Sequence, residues 1–313
     1  MFRACFIVSL TFLITVLMPI ASACSQHYPL QKVTDGVFYH QGAHEDATAE
    51  NIGAIANVGF IIGERCVAVI DSGGSFREGE LLYQALRDQT DKPVCYVINT
   101  HVHPDHILGN AAFKQEEPVY IGHEKLPAAI AARKEFFSRA FSDTLGEAFE
   151  GAEFIPPSQT VAVGEPVTLD LGDRELVLTA YTTAHTDHDL TVYDKHSQSL
   201  WTGDLLFIDR IPALDGSING WISNLEDLKT ENVTYVVPGH GPAGKQQWQT
   251  GLEKQLTYLK TIREQIRQII YDFGTIDEAT SSVGLKMQDD WLLFEDYHRR
   301  NVTAAFVELE WEE

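Results

Sequence analysis

Six consecutive residues, His101-Val102-His103-Pro104-Asp105-His106, carry three histidines and an aspartate on one short turn. Imidazole nitrogen and carboxylate oxygen are the ligand types that Zn²⁺ takes outside thiolate sites. Alternate side chains of an extended stretch share a face. His101 and His103 can therefore address one cation while Asp105 and His106 swing toward a second. A solvated polar loop has no reason to collect three of the chain's 12 histidines in six positions. The motif predicts a metal centre.

One turn cannot enclose a metal pair, so further ligands are expected at other strand ends. Leu176-Val177-Leu178-Thr179-Ala180 leads through Tyr181-Thr182-Thr183-Ala184 to His185. Leu200-Trp201-Thr202-Gly203 leads to Asp204, and Val233-Thr234-Tyr235-Val236-Val237-Pro238-Gly239 leads to His240. Each is an apolar run, a small residue, then a metal-type side chain. Singly, each reads equally well as a structural polar residue; together with the histidine turn they read as one ligand set.

A sheet must bring these ends together. Residues 37–39, 55–62 and 67–70 are apolar runs rich in β-branched residues and separated by turn signals, which predicts strands with hairpin connections. The last ends in Asp71-Ser72-Gly73-Gly74. Residues 77–88 place Leu81, Leu82, Ala85 and Leu86 at helical spacing, and a strand over 94–99 then delivers the histidine turn. Residues 126–149 read as helical, with Phe136, Phe137 and Phe141 packing on a core in preference to forming a lid. A second strand-rich series spans 161–237. It is followed by a long amphipathic helix over 245–271 and a last helical stretch over 301–309. Neither repeats nor long linkers divide the chain, so two sheets packed together with helices outside are expected.

With 313 residues and 44 % hydrophobic content there is ample length for a core. A formal net charge of −22 argues against nucleic-acid binding through phosphates. Met1-Phe2-Arg3, an apolar stretch over 4–20 and Ala21-Ser22-Ala23 form a secretory signal pattern, so residues 1–23 are expected to be removed and the protein to be periplasmic. Cys24 then heads the mature chain. Ala21-Ser22-Ala23-Cys24 is an imperfect lipoprotein box, and membrane contact is expected only if Cys24 is lipidated. Cys66 and Cys95 each precede the polar end of an apolar run by five residues. They can pair in an oxidising compartment, although a bridge across adjacent parallel strands is awkward and two buried thiols are the alternative. Residues 24–245 are read as the catalytic domain and 246–313 as a helical extension packed on it.

The order and surroundings of the ligand residues resemble the metallo-β-lactamase superfamily over residues 33–242. The resemblance implies a four-layer αββα sandwich of the α/β class, with the active site along one sheet edge. It implies that His101, His103 and His185 hold one zinc, that Asp105, His106 and His240 hold the other, and that Asp204 bridges both. Two Zn²⁺ among five neutral imidazoles and two carboxylates keep about two positive charges, which lowers the pKa of a bridging water from 15.7 to about 7. The expected chemistry is attack by metal-bound hydroxide, with Asp105 receiving or orienting its proton. No serine nucleophile is needed, and Ser72 reads as structural. Asp71 is expected to orient a ligand histidine.

Departures from the family pattern narrow the branch. A glutamate at 103 would indicate a diiron flavoprotein oxidase, and histidine stands there. Class B β-lactamases usually carry cysteine or serine where Asp204 sits. Residues 184–190, 201–207 and 210–217 resemble the exported quinoprotein relay system zinc metallohydrolases, the SoxH-related group. This implies a small-molecule substrate and a periplasmic quinoprotein partner. His188, an extra histidine in the polar turn, can reach substrate or sit on the surface or behind the ligands. Arg210 can bind an anionic group, or instead pair with Asp209 or Asp215. The expected activity is hydrolysis of an ester, lactone, thioester or amide. A β-lactamase, a mononuclear iron dioxygenase of sulfur compounds on the same fold, and a non-catalytic module serving a quinoprotein are the other readings.

Overall fold

The computed structural model of the chain describes residues 28–245 and 247–312. The expected signal segment and Cys24 lie outside the described residues. Strands β1 (Gln31–Thr34), β2 (Val37–His40), β3 (Val58–Ile62) and β4 (Val67–Ile70) pair antiparallel as a meander. Helix α1 (Phe76–Gln89) then carries the chain to β5 (Val94–Ile98), parallel to β4. Ser75 caps α1 by accepting from the Glu78 amide. A single helical turn, α2 (Pro104–Ile107), precedes β6 (Val119–His123), helix α3 (Leu126–Leu145) and β7 (Gln159–Val161). These seven strands form one sheet in chain order.

The second sheet has the order β12-β11-β10-β9-β8. Its strands are β8 (Val167–Asp170), β9 (Glu175–Ala180), β10 (Leu190–Asp194), β11 (Ser199–Phe207) and β12 (Tyr235–His240). Helix α4 (Ile218–Leu228) joins β11 to the parallel β12. Helices α5 (Gln247–Tyr271), α6 (Ile276–Ser282) and α7 (Phe294–Leu309) complete the chain.

Alternation along the strands builds the layers. Val67 and Val69 of β4 face α1 through Leu82 and Leu86, while Ala68 and Ile70 face the other sheet. Between the sheets lie Leu176, Leu178, Val192, Trp201 and Val237. Leu200 and Val236 point the opposite way, into a third core with α4, α5 and α7. Three cores separate four layers, and the expected αββα sandwich is the observed fold. Among the described residues no helix is long and apolar enough to cross a membrane.

Several local readings are corrected. The polar segment before residue 37 contains strand β1, and β3 begins at Val58 rather than 55. Helix α3 stops at Leu145, with a 3₁₀ turn over Gly146–Phe149. Helix α7 begins at Phe294 instead of 301; Glu295, Asp296, Arg299 and Arg300 mask the helical spacing of Phe294, His298 and Asn301, which it buries. Cys66 and Cys95 form a disulfide, with Cα atoms 5.8 Å apart. The awkwardness of a parallel-strand bridge is relieved by a bulge. Val67 pairs with Val94 but Ala68 pairs with Tyr96, so Cys95 is the extra residue.

Candidate metal centre

Strand β5 ends at Ile98 and hands the chain through Asn99 and Thr100 to His101. His103 stands at the N-cap position of α2 without a side-chain capping bond, which leaves its ring free for the site, and Pro104 at the first turn fixes the chain direction there. That turn parts the motif: His101 and His103 stay on one side, Asp105 and His106 go to the other. His185 arrives from the loop after β9. His240 is the last residue of β12, whereas Asp204 lies inside β11 rather than beyond its end. Gly203 explains the difference. Its φ of +50° and the pairing shift around it turn Asp204 into the site while β11 runs on to Phe207.

The seven side chains converge in two groups, His101, His103, His185 and Asp204, and Asp105, His106 and His240. His103 Nδ1 lies 2.9 Å from His101 Nε2 and 3.0 Å from His185 Nε2. Asp204 Oδ2 is 3.4 Å from both His185 Nε2 and His240 Nε2, and Oδ1 is 3.1 Å from His106 Nε2. One carboxylate thus touches both groups. Asp105 Oδ2 closes the second group at 3.4 Å from His240 Nε2 and 3.7 Å from His106 Nε2.

The outward nitrogens explain why these atoms need a cation. His106 Nδ1 lies 2.8 Å from Asp71 Oδ2, His185 Nδ1 2.6 Å from the Ala213 carbonyl, and His240 Nδ1 2.7 Å from the Ile55 carbonyl. His103 Nε2 lies 3.2 Å from Asp215 Oδ2. The Thr100 hydroxyl donates to Asp71 Oδ2 and so accepts from His101 Nδ1 at 3.1 Å. Every ring proton is drawn outward, and lone pairs face carboxylates inside. His106 Nε2 and Asp204 Oδ1 are buried with no hydrogen-bond partner. A set of acceptors aimed at one another is satisfied by metal, not by hydrogen bonds. The donor set fits two Zn²⁺ ions, three imidazoles for one, two imidazoles and a carboxylate for the other, and Asp204 shared.

With only protons to balance the carboxylates, the charge that a cation would supply falls on the histidines. Burial would lower the pKa of His106, but Asp204, Asp71 and Asp105 raise it well above the usual imidazole range. Burial would raise that of Asp204, but His240, His106 and His101 lower it well below the usual carboxylate range. Burial takes His185 down to about 3, so that ring is neutral and available as a ligand. Gly239 completes the cradle: a Cβ there would stand 1.9 Å from Asp204 Oδ1.

The other sequence candidates fall around this centre. Asp71, buried with φ of +51°, also accepts from the Thr100 amide at 2.8 Å. Ser72 is structural, its hydroxyl donating to Asn110 Oδ1. His188 is fully buried, not at the surface. Its Nδ1 meets the Thr186 hydroxyl at 2.9 Å inside the turn that Asp189 holds through the Thr186 amide. It lies outside both ligand groups. Arg210 pairs with neither Asp209 nor Asp215. Asp215 is taken by His103 and Arg133, while Arg210 donates to the Tyr297 hydroxyl at 2.9 Å.

A cavity of about 730 Å³ opens over the ligand cluster, reaching His103, Asp105, Asp204 and His240. Phe137 packs in the α3 core, as its apolar spacing predicts, whereas Phe136 is 68 % exposed at this cavity. Tyr297 and Arg300 of α7 also line it and were not among the sequence candidates. The only signal for them in the chain is a run of charged residues before the last apolar helix.

A family model described as the metallo-beta-lactamase superfamily matches residues 52–240. Among solved structures, a metallo-beta-lactamase from Pontibacter korlensis is similar at a TM-score of 0.58 with 20 % identity, over 74 % of this chain and 98 % of that one. The DIM-1 metallo-beta-lactamase is similar at 0.57 with 18 % identity, over 74 % and 96 %. At such identities the likeness concerns the fold. A linear primary-alkylsulfatase of a Pseudomonas species is 37 % identical over 60 residues, 19 % of this chain. The chain spans 11 % of that relative's length.

Proposed function

The chain belongs to the metallo-β-lactamase superfamily, and from that premise we propose that it is an exported dinuclear zinc hydrolase of an ester, lactone, thioester or amide. The observation that carries this reading is the inward convergence of seven ligands, with Asp204 touching both groups. Two bound Zn²⁺ would supply Lewis acidity, bringing the ionisation of water toward neutrality and drawing charge off the substrate's oxygen. The protein's own share is to hold and to move protons. Asp71, the Ala213 carbonyl and the Ile55 carbonyl keep three imidazoles oriented. Asp105, 15 % exposed and lining the cavity, is placed to take the proton of the attacking water.

A second reading, hydrolysis of a β-lactam, has a specific observation in its favour. Both solved relatives are β-lactamases by name, and this chain covers nearly all of each. A β-lactam is a strained cyclic amide and falls within the same substrate class. Asp204 is the residue that speaks for the other members of that class. Residues 184–190, 201–207 and 210–217 support a place among the quinoprotein relay system metallohydrolases, with a periplasmic quinoprotein as partner. The alkylsulfatase match adds a sulfate ester to the substrates worth testing.

Metal analysis of the purified protein, paired with a panel of lactones, thioesters, nitrocefin and dodecyl sulfate, tests these readings. Two zinc equivalents and turnover of a lactone or thioester are expected. Fast nitrocefin hydrolysis alone would select the β-lactamase reading. One equivalent of iron with no hydrolysis would overturn both.

A further inference from the structure

Arg210 is only 4 % exposed, yet among the described residues no carboxylate lies within ion-pair distance of it. Its guanidinium reaches the Glu45 carbonyl at 3.4 Å and the Tyr297 hydroxyl at 2.9 Å, and lies 5.1 Å from the Tyr297 ring centre. Asp46 meets it only through Tyr297, whose hydroxyl donates to Asp46 Oδ1 at 2.7 Å. The close approach to His240 Nδ1, at 3.3 Å, adds no acceptor, because that nitrogen already donates to Ile55. A buried guanidinium held by two neutral oxygens is costly unless an anion completes it. Arg210 lines the cavity over the ligand cluster, where such an anion can arrive.

Arg300 stands beside it. It is exposed, lines the same cavity, lies 5.9 Å from the Tyr297 ring centre and has no carboxylate partner among the described residues. Arg133, by contrast, is already engaged by Asp215. Helix α7 presents Tyr297 and Arg300 from outside the matched family segment, and it does so rigidly. Asn301 accepts from the Leu214 amide at 2.9 Å and donates to the Pro212 carbonyl at 2.6 Å. Glu308 takes the Ser217 hydroxyl at 2.8 Å and the Ile218 amide at 2.7 Å, capping α4. The α3 side of the cavity is of the opposite character, with Phe136 bare to solvent beside Phe137 and Phe141.

We propose that this cavity takes an amphiphilic anion, its headgroup held between Arg210 and Arg300 and its apolar part lying against Phe136, Phe137 and Phe141. This names the substrate class of the hydrolase argued above and rests on that reading. Carboxylates, sulfates and sulfonates share the headgroup chemistry, since each offers oxygens to a guanidinium fork.

Calorimetry on the zinc-loaded protein tests it with two probes, octanesulfonate and the neutral octanol. Octanesulfonate is expected to bind at least about tenfold more tightly, and Arg300→Ala to weaken it about tenfold while leaving octanol unchanged. Arg210→Met should act likewise, and Phe136→Ser should weaken both probes. Arg300 is exposed, so its replacement keeps the test valid should Arg210→Met not fold. Equal binding of the two probes, no binding of octanesulfonate, or full octanesulfonate affinity in Arg300→Ala would overturn the proposal. The last outcome would leave the metals themselves holding the anion. Failure of the hydrolase reading looks different: no member of the substrate panel is turned over, while the probe results stand.

Discussion

Each ligand imidazole presents the nitrogen it does because a partner behind it takes the other one. Asp71 is the most connected of these partners, accepting from His106 Nδ1, the Thr100 amide and the Thr100 hydroxyl. An asparagine could keep one or two of these bonds but not the charge that raises the basicity of His106. Asp71→Asn is therefore expected to weaken zinc binding by about 10–100-fold in a chelator competition, with activity recovering at high zinc. Unchanged affinity would reduce Asp71 to a backbone prop. A second buried carboxyl, Glu78, lies outside the ligand set. Burial raises Glu78 from 4.5 to about 7, offset in part by the Tyr28 hydroxyl at 2.6 Å and the Gly74 amide at 2.6 Å. A group whose folded pKa exceeds its unfolded one contributes stability below the unfolded value and loses it as pH rises through the folded one. From Glu78 alone, stability should fall by about 3 kcal/mol between roughly pH 4.5 and 7. Glu78→Gln can keep both hydrogen bonds and should flatten that part of the curve in denaturant titrations; parallel curves would refute the assignment.

At the scale of elements, the centre depends on how closely β11 and β12 approach. Gly239 on β12 leaves room for the Asp204 carboxylate and nothing more, since a Cβ would also meet the Gly203 carbonyl carbon at 2.7 Å. Gly239→Ala should displace the shared ligand, lowering zinc content below two equivalents and activity on the order of a hundredfold. Gly244→Ala, whose Cβ would meet nothing nearer than 3.9 Å, is the control expected to behave as wild type. Much of this was legible in the sequence. The ligands stand after apolar runs of strand period, and their types are unusual enough together to betray a metal site. What escaped was set by contacts distant in the chain. Tyr297 and Arg300 sit in a charged stretch, Phe294 to Arg300, whose helical state is decided by docking against the loop after β11. The partner of Arg210 is 87 positions away, and sequence proximity pointed instead to Asp209 and Asp215. The disulfide turned on a one-residue bulge in β5 that no local pattern announces.

Over the whole molecule, the helices beyond residue 246 form one side of a core rather than an appendage. Leu205, Phe207 and Leu200 of β11 share a cluster with Trp221 of α4, Leu256 and Leu259 of α5, and Val302 and Phe306 of α7. Deleting residues 291–313 would strip Trp291 and Ala305 along with Phe294, Val302, Phe306 and Leu309 from that cluster. Burial of the last four alone contributes about 6–12 kcal/mol, comparable with the roughly 5–15 kcal/mol that holds a whole domain folded. The deletion would also take Glu308 from the first turn of α4 and Asn301 from the Leu214 amide, leaving buried donors without acceptors. The truncated chain is expected to be insoluble, or compact without a cooperative melt, and to hold less than two zinc equivalents. The full chain should unfold in one transition by calorimetry, its α7 side melting with the metal centre. A truncated protein that melts cooperatively and binds two zinc ions would show that α7 shapes the cavity without supporting the fold. In that event its hydrolysis of neutral esters should persist while its preference for anionic ones disappears.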